Sequence, residues 1–179
     1  IKGMYKFKSS TAASELRVQL LGGGAILREV EAAAAILEND YQVAADVWSL
    51  TSVNELAREG KAVRRWNLLH PEAEQRVPYV TQLLQAAGGP VVAATDYLKL
   101  YSDQIREFVP GHYSVLGTDG FGRSDTRAKL REFFEVSREY IVIAALKALA
   151  DEGRMDISVV TRAIGALGVD PDKANPLTV

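Results

Sequence analysis

The run PVVAAT at residues 90–95 limits the fold more than any other stretch of the chain. It is apolar without alternation, the pattern of a strand covered on both faces, and such strands belong to parallel sheets packed between helices. Three further segments read as strands beside it: 16–21 (LRVQLL), 44–50 and 113–116. Between them the apolar period changes from that of a strand to that of a helix. Ile26, Val30, Ala33, Ala34, Leu37 and Tyr41 recur at three and four residues, giving the helix after the first strand one face for the sheet. Leu98, Tyr101, Ile105 and Phe108 repeat that spacing until Pro110-Gly111, with Asp96 as the expected N-cap. Residues 52–89 are longer than a simple crossover needs and read as three short helices, at 54–58, 61–69 and 78–87, the second stopped by His70-Pro71 and the third carrying proline in its first turn. Helices are also expected over 126–134, with Leu130, Phe133 and Phe134 inward, over 137–152, closed by Gly153, and from Ile157 to Leu167. Four strands alternating with helices make an α/β fold with a largely parallel central sheet.

A chain of 179 residues can bury a single substantial core, since a domain of roughly 150 residues hides about 70% of its unfolded surface. The opening IKGMYKFK reads like the tail of an earlier element, and 9–14 like a small-residue linker. Residues 1–15 are therefore expected to lead in from a preceding domain and 16–179 to form the domain itself, as a piece of a longer protein. With 21 basic and 23 acidic residues the net charge is −2, which favours neither nucleic acid nor an anionic membrane surface as a partner. Cysteine is absent, so disulfides, thiolate metal sites and a cysteine nucleophile are excluded, in keeping with a cytoplasmic protein. No apolar run approaches the ~20 residues of a membrane span.

The stretch with the densest chemical content is GTDGFGRSD at 117–125, between the strand at 113–116 and a helix. Three glycines, a cation and a following helix make it an anion-tolerant or subunit-facing turn, in which Asp119, Phe121, Arg123 and Ser124 are the candidate interface or active-site-rim residues. Ser124 imitates a hydrolase nucleophile elbow, but the last glycine of G-x-S-x-G is missing and both histidines, His70 and His112, precede it where that fold places histidine after serine. A helix N-cap is the expected role of Ser124. Gly22 and Gly24 imitate a dinucleotide fingerprint whose third position is Leu27 and whose second strand ends without an acid, so a tight turn is expected there. Trp66, Asn67 and His70 form a cluster better read as a packed corner than as a catalytic base. No spacing of metal ligands and no phosphate loop appears, leaving no catalytic, cofactor-binding or metal-binding residue to assign.

Several long segments carry a resemblance. VQLLGGGAILREVEAAA, AADVWSLTSVNELAREG, RRWNLLHPEAEQRVPYV, VVAATDYLKLYSDQIREFVP, YSVLGTDGFGRSDTRAKLREFFEV and DPDKANPLTV look, in that order, like the C-terminal domain of the homodimeric bacterial pyruvate dehydrogenase E1 component, a transketolase-type enzyme. The resemblance spans nearly the whole chain; Gly22-Gly23-Gly24 departs from the Gly-Ser-Gly associated with the family. It implies a parent that decarboxylates pyruvate with thiamine diphosphate and Mg2+ and passes the two-carbon unit to a lipoyl group on dihydrolipoamide acetyltransferase, E2. The G-D-G…N motif that holds the diphosphate belongs to another domain, and Thr118-Asp119-Gly120 has threonine where that motif needs glycine. The resemblance thus implies a non-catalytic domain whose partners are the remaining E1 domains, a second E1 subunit and E2. It also implies a mixed, mostly parallel five-stranded sheet with helices on both faces, one strand more than the residues reveal, with 136–142 as a possible place for it.

Overall fold

The computed structural model describes residues 2–179. Five strands, β1 (Met4–Lys8), β2 (Arg17–Gly23), β3 (Ala44–Leu50), β4 (Val91–Ala94) and β5 (Tyr113–Leu116), form one sheet in the order β1-β3-β2-β4-β5. β3, β2, β4 and β5 run parallel to one another, and β1 runs antiparallel along β3. The four strands expected from the sequence are all present. The fifth is supplied by the segment read as the tail of an earlier element, not by 136–142, most of which belongs to a helix. β1 escapes an apolar pattern search because only Met4 is buried and its other four residues face solvent at the sheet edge. Lys6 and Lys8 on such an edge oppose pairing with another strand.

Both faces are covered. α1 (Leu27–Tyr41), α5 (Arg127–Phe133), α6 (Arg138–Asp151) and α7 (Ile157–Ala166) lie on one side, and α2 (Val53–Leu69), α3 (Tyr79–Ala87) and α4 (Lys99–Asp103) on the other. The unalternated run at 90–95 is explained directly: Val92 and Ala94 enter the first core with Val30, Leu37 and Leu146, while Val91 and Ala93 enter the second with Leu56, Val80 and Ile105.

Three local expectations are corrected. The two helices expected at 54–58 and 61–69 are one helix, α2, capped by the Ser52 hydroxyl, which accepts from Glu55 N–H at 3.3 Å. Gly60 is no break in it: a Cβ there would lie 2.5 Å from the Phe108 ring, so the glycine admits an aromatic side chain against the helix. The helix expected after Asp96 is reduced to α4 and a 3-10 turn at Arg106–Phe108, and Asp96 does not cap it. Pro78 stands just outside α3 as its N-cap.

Two polar sets lie inside the apolar frame. Trp48 donates to the buried Gln19 side chain at 2.7 Å, and Gln19 donates to the Gly88 carbonyl at 2.8 Å. Asp46, in mid-strand, accepts from Lys6 Nζ at 3.1 Å, Arg17 Nη1 at 3.0 Å and the Ser10 amide at 2.9 Å, which fastens the segment after β1 to the sheet. Burial pushes the pKa of this carboxyl up, but the Ser10 amide, Lys6 and Arg17 outweigh it and hold the group below its usual range.

Candidate functional site at the carboxyl end of the sheet

Chain direction singles out one end of the sheet. β2 leads through α1 on one face, whereas β3 and β4 lead through α2, α3 and α4 on the other. The connections leaving the adjacent strands β2 and β4 therefore diverge, and a crevice opens between their carboxyl ends, the place where open α/β sheets bind ligands.

The glycine loop at 117–125 borders this crevice after β5. It is held firmly. Thr118 N–H donates to the Tyr97 carbonyl at 2.8 Å, and a Cβ on Gly117 would lie 2.8 Å from that oxygen, so only glycine allows the two backbones to approach. Asp119 accepts from the Lys99 amide at 3.0 Å and pairs with Lys99 Nζ at 3.6 Å. Asp119 thus does for α4 what Asp96 was expected to do, from twenty residues away. Gly120 takes φ +85° beside the backbone of Pro176 and Leu177. Phe121 is 94% exposed. Arg123 lies over the Phe133 ring at 4.3 Å.

Ser124 is exposed and is not the cap expected of it; Thr126 caps α5, accepting from Lys129 N–H at 3.4 Å, and Asp125 accepts from the Thr126 amide at 2.7 Å. The cap falls two residues later than expected, and only 117–119 of the loop dock against 97–99. The candidates do not converge on a reacting centre: Asp119 is tied to α4, Phe121 points outward, Arg123 rests on an aromatic ring and Ser124 stands in solvent.

The other sequence leads resolve structurally. A Cβ on Gly22 would lie 2.8 Å from Leu27 Cα, so that glycine brings β2 against the start of α1. His70 stacks on Trp66 with centroids 4.4 Å apart, and Arg76 covers the other indole face at 3.8 Å. Asn67 clamps the backbone of Arg76 with two bonds of 2.9 Å, completing a packed corner. His112 lies at the amino end of β5, opposite Ser124, and bonds to the Ser114 hydroxyl at 2.9 Å. Among the described residues no group of three or more His, Cys, Asp or Glu could hold a metal ion, and no helix is long and apolar enough to cross a membrane.

Sequence reasoning missed Glu29. This buried carboxylate in the first turn of α1 accepts from Arg131 Nη1 at 2.7 Å and from Arg138 Nε at 2.9 Å, joining α1 to α5 and α6 beside the crevice. Burial pushes its carboxyl up, yet the bonds and charge of Arg138, with Arg131, leave it below its ordinary value. The signal was available as an acid on the edge of an apolar helix face, with arginines further along the chain.

Residues 3–137 match the family model for the transketolase-like TK C-terminal domain. The chain belongs to that family. It is 56% identical to the pyruvate dehydrogenase E1 component of Pseudomonas aeruginosa over 178 residues, covering 99% of this chain and 20% of that protein. Against the same component of Haemophilus influenzae the identity is 58% over 178 residues, covering 98% and 20%. Against that of Escherichia coli K12 it is 52% over 176 residues, again 98% and 20%. The chain spans about a fifth of the length of these curated relatives. Among solved structures, a transketolase from Campylobacter jejuni superposes with a TM-score of 0.55 at 22% identity, over 82% of this chain and 18% of its own. A split-gene transketolase described as an inactive β4 tetramer gives 0.55 at 20% identity, over 84% and 43%. At those identities the structures establish the fold alone, a transketolase-type C-terminal domain with a mostly parallel five-stranded sheet.

Proposed function

We propose that this domain is the non-catalytic C-terminal part of a pyruvate dehydrogenase E1 component. Its full chain would decarboxylate pyruvate with thiamine diphosphate and Mg2+ and reductively acetylate the lipoyl group of dihydrolipoamide acetyltransferase, E2, in the cytoplasm. The observation that carries the reading is identity of 52–58% to E1 components across 98–99% of this chain. The residues present do not fit the cofactor itself. Asp119, the acid in the nearest approach to a G-D-G motif, follows a threonine and is committed to the backbone and ammonium of Lys99. In this reading residues 1–15 join the domain to the one before it, with β1 laid along the sheet edge.

The domain's task in the parent is architectural. A doubly covered sheet presents the loop at 117–125 toward the second subunit or the active-site rim, and Phe121 supports this by exposing a whole aromatic ring from a loop whose first residues are anchored on 97–99. Calorimetry with thiamine diphosphate and Mg2+ tests the assignment: the full-length protein is expected to bind the cofactor saturably and to decarboxylate pyruvate, and this 179-residue chain to do neither. Saturable binding of the cofactor by this chain alone overturns the reading.

A further inference from the structure

The crevice between the carboxyl ends of β2 and β4 holds a cavity of about 280 Å3. Its floor is apolar, formed by Ile26 at the start of α1, Leu130 of α5, and Phe134 and Val136 beyond it. Its rim is charged and unequal. Arg123 and Arg127 line it and make no hydrogen bond or ion pair among the described residues, while Arg131 is already neutralised by Glu29. Asp96, at the end of β4, borders the same space and likewise has no polar partner among the described residues; the missing side chain of Gly24 leaves it room, since a Cβ there would lie 3.2 Å from its carboxylate. Thr118 adds a hydroxyl from the glycine loop.

We propose that this cavity binds a small apolar carboxylic acid carrying an amino or hydroxyl group on C2. The ligand carboxylate meets Arg127 and Arg123, its C2 donor meets Asp96 and Thr118, and its aliphatic body lies on Ile26, Phe134 and Val136. The size is right for a ligand of this kind and too small for a nucleotide, since the cavity lies at the lower limit of about 300 Å3 for small-molecule pockets. An apolar floor with a few convergent polar groups is how such pockets combine affinity with orientation. Arginine rather than lysine on the rim suits a carboxylate, which it can engage through two parallel bonds. The proposal is one of binding and includes no catalytic step. It does not rest on the identity of the parent enzyme, because every group named belongs to this chain.

The test is isothermal titration of the full-length protein with L-leucine, 2-hydroxy-4-methylpentanoate and 4-methylpentanoate, repeated on Arg127→Gln and on Ala25→Leu. Ala25 lines the cavity from an exposed position, so leucine there fills the space without entering the core. Thermal melting of each variant confirms that it is folded. One or both of the C2-substituted acids should bind saturably, and more tightly than 4-methylpentanoate. Affinity should fall by about tenfold or more in Arg127→Gln, as expected for loss of a charge-assisted hydrogen bond, and vanish in Ala25→Leu. Absence of saturable binding by all three acids up to about 20 mM, or equal affinity in folded wild type and both variants, overturns the proposal. Binding of 4-methylpentanoate as tight as that of the substituted acids overturns the ligand class, because Asp96 would then contribute nothing.

Discussion

Replacing Glu29 with alanine tests whether a single buried carboxylate ties the two halves of one helical layer together. Its side chain is 6% exposed, against 21% for Arg131 and 45% for Arg138. It accepts four bonds: from Arg131 Nη1 at 2.7 Å, and from Arg138 Nε at 2.9 Å, its backbone N–H at 3.2 Å and Nη2 at 3.3 Å. The three groups do not lose equally. Arg138 is nearly half exposed and turns to water, costing at most about 1 kcal/mol. Arg131 is largely desolvated and is left without a counter-charge, and the Arg138 amide at the start of α6 loses an acceptor, which together cost about 2–3 kcal/mol. The expected destabilisation of Glu29→Ala is therefore about 3 kcal/mol, and that of Glu29→Gln, which keeps the shape and loses the charge, about half as much. With a urea slope of about 2–3 kcal/mol/M, the alanine variant should unfold about 1–1.5 M earlier, followed by circular dichroism. The pH dependence fixes the cause. A carboxyl whose folded value lies below its ordinary 4.5 contributes stability that is complete above that value and is lost as pH falls through the folded one. The gap between wild type and Glu29→Gln should be constant from neutrality down to about pH 5 and close below 4.5. A Glu29→Ala midpoint within about 0.5 kcal/mol of wild type, or a gap that persists unchanged at pH 3, refutes the argument.

Gly60→Ala in α2 should destabilise by about 1–3 kcal/mol in the same urea assay, although alanine favours a helix over glycine by about 1 kcal/mol, because its methyl would lie 2.5 Å from the Phe108 ring; a stabilised variant contradicts that packing. Asp46→Asn should release the segment from β1 to Ser10 at neutral pH, read as faster amide exchange over 4–10 with the rest of the sheet unchanged. In wild type the same release should appear only as pH falls below the ordinary carboxyl value of 3.8, since the folded value is lower still; uniform exchange across the sheet would refute the latch. Phe121→Ser should leave the melting temperature of this chain unchanged and weaken self-association of the full-length protein by about tenfold or more in sedimentation, in line with loss of an exposed aromatic anchor, and an unaltered association constant removes the loop from the interface.

What the sequence disclosed of the fold followed from patterns that depend on burial. β3 and β5 are found at the expected residues and α1 at the expected spacing, because both faces of the sheet are covered and every strand residue there must be apolar or satisfied. β1 was invisible for the complementary reason: an edge strand with one buried residue has no apolar period, and its place is fixed by backbone pairing to β3 and by Asp46, a partner forty residues away from Lys6. The expected gap between 58 and 61, where Gly60 lies, failed for a like reason. A glycine within a helical pattern argues for a break on propensity alone, and the compensating contact with Phe108 is made by a residue forty-eight positions later.

The candidate site divides along the same line between local and distant causes. The loop at 117–125 was legible as a shaped turn because its glycines are local necessities: Gly117 for the approach to Tyr97 and Gly120 for a positive φ. The roles of its polar residues were not legible, since each is set by a group elsewhere in the chain. Asp119 caps a helix that begins at Lys99, Arg123 rests on Phe133, and the helix expected to start from Ser124 takes its cap from Thr126. Once those assignments are made, Arg127 and Asp96 are left on the cavity without a polar partner among the described residues; in the sequence Asp96 reads only as a helix cap, and Arg127 is not singled out. They face one cavity because β2 and β4 send their chains to opposite faces of the sheet. Strand order, a property of the whole fold, therefore locates the crevice, and the residues left unsatisfied around it determine which ligand it can take.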